Sequence, residues 1–300
     1  MSKQNLQVVQ KSQQPDVALV ITTLGAPRLA PYRAFFGCST DEQLLGAYFW
    51  GQAIGGAFLP TLGMYEVALR NAIHCAASRY SSKKASDCHP WYDYTRNDSV
   101  RIIGKTRDKV TNVLYTGQPQ LRCAPEPSPD AVVASLSFGF WPSVLEGLAK
   151  PEQTRILTDA FPYHPHTSPK HWGVQANVGI LISKLKLIQD LRNAVAHHEP
   201  IWKAHRLLGT EKHWSQSVQS LRAKHADILE VMAWCCPPSA AALEQSYATR
   251  MFKSICSTNA VRAFMADPFG AGAMALFEPD LAVVTQPTPI SPPIAALESK

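Results

Sequence analysis

The chain has 300 residues, 46% of them hydrophobic and 17% charged, with 29 Lys and Arg against 23 Asp and Glu for a formal charge of +6. That composition can bury one substantial core and excludes a chain that is disordered throughout. No apolar run is long enough to span a bilayer, the Gln-rich start lacks a signal-peptide core, and seven irregularly spaced cysteines exclude a paired disulfide framework. A soluble, cytoplasmic protein with reduced thiols and no membrane partner is expected, and its modest positive charge suits an anionic partner without identifying one.

Residues 1–24 read as a polar N-terminal tail, the first 16 or so having few large apolar side chains. "APRLAPYRAFFG" leads to "CSTDEQLL", where Ser39 and Glu42 have the spacing of a helix-starting capping box. From there to Tyr80 the chain is helical in character, and Pro60 with its neighbouring glycines predicts a kink or break near "FLPTLG". Within "YEVALRNAIHCAASRY", Glu66, Arg70 and His74 stand at four-residue steps along one face. "SSKKASDCHPWYDY" is a loop, and a helix over about 97–116 carries Ile102, Ile103, Val110, Val113 and Leu114 before Gly117 ends it.

Asp130 is placed to cap "AVVASLSFGFWPSVLEGL", with a compact aromatic cluster at Phe138, Phe140 and Trp141 that reads as core rather than as a base-stacking surface. The His- and Pro-rich "FPYHPHTSPKHW" is another loop. The best-patterned helix covers about 174–198, with Val178, Leu181, Leu185, Ile188 and Val195 recurring at three- and four-residue intervals between polar positions. A further helix ends at Pro237 and Pro238, and a shorter one follows over 239–255. Residues 256–300 turn to Ala, Pro and Gly and read as an unstructured C-terminal tail. With no strand alternation and no internal repeat, the fold class is all-α, with its folded domain over 25–255.

The segment that carries chemistry is "LRNAVAHHEPIW", Leu191 to Trp202. On a helix turning about 100° per residue, Asn193 and His197 share a face, while Arg192 is offset from His197 by roughly 140°. Pro200 disfavours helical geometry at Glu199, so the helix is expected to end beside the histidines. A histidine able to exchange a proton and a fixed guanidinium suit metal-free cleavage of RNA: the histidine takes the ribose 2′-hydroxyl proton, and the arginine stabilises charge on the phosphoryl oxygens. One His197 cannot serve both sides of the phosphorus, and His198 points roughly 100° away, so a second copy of the segment in a symmetric dimer is the economical solution. Against this stands the plain alternative that His197 and His198 cap carbonyls and Arg192 pairs with Asp190 or Glu199 on the surface.

Two other chemistries are weaker. Metal binding by His164, His166 and His171, or by His197, His198 and His205, has no defensible ligand spacing, so neither metal nor cofactor is expected. "GTEKHW" and "FGAGAM" lack the residues of a phosphate-cradling loop or a nucleophile elbow.

"LRNAVAHHEPIW" resembles the signature of the Abi-like (abortive infection) bacterial proteins of the HEPN superfamily, an Arg-polar-x3-His segment near a helix end. "EVALRNAIH", Glu66 to His74, and "LSFGFWPSVL", Leu136 to Leu145, are similar to further segments of the same family, in the same order. The resemblance covers about residues 25–250 and leaves the C-terminal tail without a counterpart. It implies a HEPN-like helical bundle, a homodimer whose two Arg-x4-His motifs face one cleft, and metal-independent endoribonuclease activity of a phage-defence or toxin type. Arg192, Asn193 and His197 match the catalytic motif and His198 fits the Abi-like variant. Glu66, Arg70 and Asn71 match the first-helix segment, either supporting the site or forming an ordinary Glu66–Arg70 ion pair. Such domains also serve as non-catalytic RNA-binding or protein-interaction modules, so two readings stand, and an antitoxin or regulatory partner belongs with the first.

Overall fold

The computed structural model describes residues 15–97, 99–116, 121–203 and 211–270. Its organising element follows two short helices, α1 (Val17–Leu24) and α2 (Ala26–Phe36), and is the 41-residue helix α3 (Asp41–Ser81). At 1.5 Å per residue α3 runs about 60 Å. Ile54, Phe58, Leu62, Tyr65, Leu69, Ile73 and Ala76 recur along it at three- and four-residue steps and are all buried, giving the other helices one continuous apolar stripe.

The helix starts one residue away from the expected box. Thr40 is the N-cap and accepts from the Gln43 backbone N–H, while the Gln43 side chain accepts from Ser39. Helical structure also continues through Pro60 without the expected break. Pro60 leaves the Gly56 carbonyl without its usual donor, but Gly56 is exposed, so water can satisfy that oxygen.

Beyond α3 come α4 (Gly104–Leu114), α5 (Pro129–Ser135), α6 (Phe140–Gly147), α7 (Lys150–Ala160) and the single turn α8 (Pro169–Trp172). Ser128 caps α5, and Asp130 sits in its first turn where the helix dipole favours an anion. Phe138, Phe140 and Trp141 are buried, which removes them as a stacking surface. The strand pair absent from the sequence reading is two residues on each side, β1 (Tyr115–Thr116) against β2 (Leu121–Arg122), antiparallel, too short to leave an alternating pattern.

Helix α9 (Gln175–Ala196) buries all five of its expected core residues, together with Ile182, Leu191 and Ala194. Then follow α10 (Trp214–Cys235), α11 (Pro237–Gln245) and α12 (Tyr247–Ile255), the last two in place of one helix because Ser246 ends one and caps the next. The fold is all-α, and all seven cysteines are free. No helix among the described residues is long and apolar enough to cross a membrane.

The ordered structure extends past both expected boundaries. Residues 17–24 form α1, and 258–266 form a thirteenth helix, α13 (Thr258–Ala266), rather than tail. α13 packs on α3 with Ala260, Val261 and Phe264 buried. It lies so close that a Cβ on Gly46 would stand 2.0 Å from the Phe264 carbonyl oxygen. The missing side chain at Gly46 is what allows that approach. The remaining expected tail, 1–14 and 271–300, lies outside the described residues.

Candidate functional site

Helix α9 ends where its sequence demands. His197 is the C-cap, His198 adopts the left-handed conformation with φ 54°, and Glu199 follows ahead of Pro200. The Glu199 N–H donates to the Ala194 carbonyl at 2.8 Å and the His198 N–H to Val195 at 3.1 Å, which together form the Schellman arrangement. Glycine usually fills the left-handed position because a Cβ there is strained. Histidine fills it here, and both His197 and His198 are exposed.

This turn is fastened from α2. An Arg28 guanidinium nitrogen donates to the His198 carbonyl oxygen at 2.9 Å, and the same guanidinium lies over the Tyr48 ring, 5.8 Å from its centroid. Two hollows meet at the turn. One, of about 260 Å³, is floored by Gly55, Gly56 and Leu59 of α3 and walled by Val195, His198 and Glu199. The other, of about 230 Å³, lies between Arg28 and Tyr32 of α2 and the pair His197 and His198.

Arg192 stands further back on α9, partly exposed, with its Nε 3.5 Å from Glu66 Oε2 on α3. It pairs across helices instead of with Asp190 or Glu199, and Glu66 takes Arg192 in place of Arg70. Arg70 keeps a buried Nε without a hydrogen-bond partner, and Asn71 is exposed. Asn193 is half-buried, and its backbone carbonyl accepts the His197 N–H at 2.9 Å. The structure therefore joins Glu66 to Arg192 and sets His197 beside His198 at the hollows, while Asn71 stays apart from these contacts.

Arg28 is the residue that sequence reasoning missed. "APRLAPYR" carries Pro31 within the helix, which masks its helical character, although Pro27 at the first helical turn is a helix-start signal. The loop histidines do come together: the His166 and His171 rings stack with centroids 4.7 Å apart, and His164 packs against Trp234 at 4.5 Å. One nitrogen on each of two rings is engaged locally, His164 Nδ1 accepting from the His166 N–H and His171 Nδ1 bonded to Asn177. His205 lies outside the described residues.

Fold and site together define an all-α domain whose second long helix ends in a histidine-bearing turn over a shallow cleft, with an arginine held beside it by a glutamate. The profile of the family described as Abi-like protein matches residues 30–203, more than half the chain and all three signature segments. The chain belongs to the Abi-like protein family. No curated protein and no solved structure matches it.

Proposed function

We propose that this protein is a metal-independent endoribonuclease of the HEPN type, acting in the cytoplasm in abortive infection or as a toxin, with its site completed by a second copy of the chain. The observation that carries this reading is the end of α9: an Arg192 oriented by Glu66 and, one and a half turns on, two exposed histidines at the rim of a cleft.

In this reading His197 accepts the proton of a ribose 2′-hydroxyl. The oxygen attacks the adjacent phosphorus, the bond to the 5′-oxygen breaks, and the charge on the non-bridging oxygens is met by Arg192. The leaving 5′-oxygen takes a proton from the facing copy's equivalent group, giving a 2′,3′-cyclic phosphate, or the 3′-phosphate after hydrolysis, and a 5′-hydroxyl end. Asn193 supports the motif from the same helix, and Arg28, already at the rim, adds a second cation for the RNA backbone. An antitoxin or regulatory partner would restrain such an activity by covering the same rim.

The test is to incubate purified wild-type and His197→Ala protein with cellular RNA in excess chelator and identify the product ends. Cleavage by wild type alone with 5′-hydroxyl ends supports the reading. Salt-dependent binding without cleavage by either protein assigns the domain to RNA binding instead.

A further inference from the structure

Helix α3, the loop that follows it and the start of α5 converge on a group of side chains remote from the cleft. His74 on α3, Cys88 in the loop that follows, and Asp130 in the first turn of α5 each place one donor atom within 4.8 Å of the others. Cys88 and Asp130 are exposed, whereas His74 is only 5% exposed.

The nitrogens of His74 are not equivalent. The Trp91 indole N–H donates to Nδ1 at 3.0 Å, and an indole can only donate, so the neutral ring carries its proton on Nε2. Nε2 is buried and makes no hydrogen bond. A polar nitrogen withdrawn from water without a partner destabilises a fold, and such atoms call for an explanation. Cys88 Sγ meanwhile lies 3.4 Å from Asp130 Oδ1, so a thiol and a carboxylate are already held together at the mouth of the group.

We propose that His74 Nε2, Cys88 Sγ and an Asp130 carboxylate oxygen form a binding site for a divalent cation of the zinc class. One imidazole, one thiolate and one carboxylate make a donor set suited to zinc, with water as the fourth ligand of a tetrahedron. Binding replaces the thiol proton of Cys88, which leaves to solvent, and moves the ring proton of His74 from Nε2 to Nδ1. The Trp91 indole N–H must then release Nδ1, so occupancy is coupled to the environment of a buried tryptophan.

The site is a clip rather than a catalytic centre. His74 is eight residues from Glu66 on α3, about 12 Å along the axis, so the ion would not reach the cleft. It would tie the loop after α3 and the start of α5 to the central helix. Its failure would leave the ribonuclease reading intact, because that chemistry uses no metal.

The full-length protein, stripped with chelator, is titrated with Co²⁺ and Zn²⁺. One equivalent of Co²⁺ should give thiolate-to-metal charge-transfer absorption and change tryptophan emission, and Zn²⁺ should displace it and raise the Tm. Cys88→Ser and Asp130→Asn alter exposed side chains and should fold. Cys88→Ser should lose the absorption, and Asp130→Asn should weaken binding at least tenfold. Cys123→Ser and His166→Ala should bind as wild type does. Absence of the charge-transfer band in wild type, or its persistence in Cys88→Ser, overturns the proposal.

Discussion

Arg192 and Glu66 bridge α9 and α3, Nε to Oε2 at 3.5 Å, so the central helix aims the cation of the motif helix. The side chains are 40% and 22% exposed, and an ion pair that open to water contributes under about 1 kcal/mol to stability. Under the proposed function its value lies in orientation. Arg192→Ala should lower RNA cleavage by roughly 10²–10³-fold, as removal of one charge-stabilising group does. Glu66→Ala, which leaves the arginine present but unaimed, should lower it by roughly 10–100-fold. The double variant should cut no more slowly than Arg192→Ala alone, because Glu66 acts through Arg192. Parallel denaturation curves for the variants check that the fold is unchanged; a large loss of stability in Glu66→Ala would make the pair structural.

His198 holds a left-handed backbone at φ 54° in a turn that glycine would occupy without strain. The position costs an L-residue roughly 1–2 kcal/mol. His198→Gly should therefore stabilise the protein by about 1 kcal/mol, measured as a higher urea midpoint at unchanged slope. His198→Ala, which keeps the strain and loses the ring, should show no such gain. Reduced cleavage in both variants would assign the strain to function, since the ring would then be retained against the preference of the backbone.

The legible parts of this fold were those written in one helix at a time. The α9 stripe was visible because Val178, Leu181, Leu185, Ile188 and Val195 repeat at the helical period, and its end was visible because Pro200 forbids continuation. α13 was not legible, because what seats it is a glycine of α3, Gly46, more than two hundred positions away, against which its backbone packs. Pro60 misled in the opposite sense, since a local rule yielded to a helix held along its whole length by burial. In the candidate site, the position of His197 and His198 at the end of α9 was legible from Pro200. Which acid would meet Arg192 was not, because the sequence offers it Asp190 and Glu199 and offers Glu66 to Arg70, and only the packing of α9 on α3 brings Glu66 to Arg192. Arg28 was illegible for the same reason: its partner is a carbonyl, which carries no side-chain signature.

Gly55 lies within α3, yet a Cβ built on it would meet nothing within 4 Å, so the protein forgoes helix stability at a position where alanine fits. Gly55→Ala should raise stability by about 0.5–1 kcal/mol. Because Gly55 floors the hollow beneath His198, a side chain large enough to fill that space should act differently. Gly55→Leu should fold and yet cut RNA more slowly than wild type, as read by comparing Tm and cleavage rate for both variants. Equal cleavage by wild type and Gly55→Leu would show that neither RNA nor a second copy enters the hollow.

His225 is buried in α10, with Nε2 3.2 Å from Thr61 Oγ1 and its ring stacked on Phe252 at 4.1 Å. Burial, with a smaller contribution from the Lys253 charge, pushes its pKa down to about 4. In the unfolded chain the same group titrates near 6.5. Between these values the unfolded state binds a proton that the folded state refuses, so stability rises with pH across the window and is fully present above about 6.5. Acidification from pH 6.5 to 4 should therefore remove up to about 3 kcal/mol through this residue, and little more below pH 4. His225→Gln, which can still reach Thr61 but does not titrate, should be less stable at pH 7 and should show a flatter decline between pH 6.5 and 4. Urea denaturation of both proteins at half-unit pH steps measures this directly; parallel pH profiles would place the acid sensitivity elsewhere in the molecule.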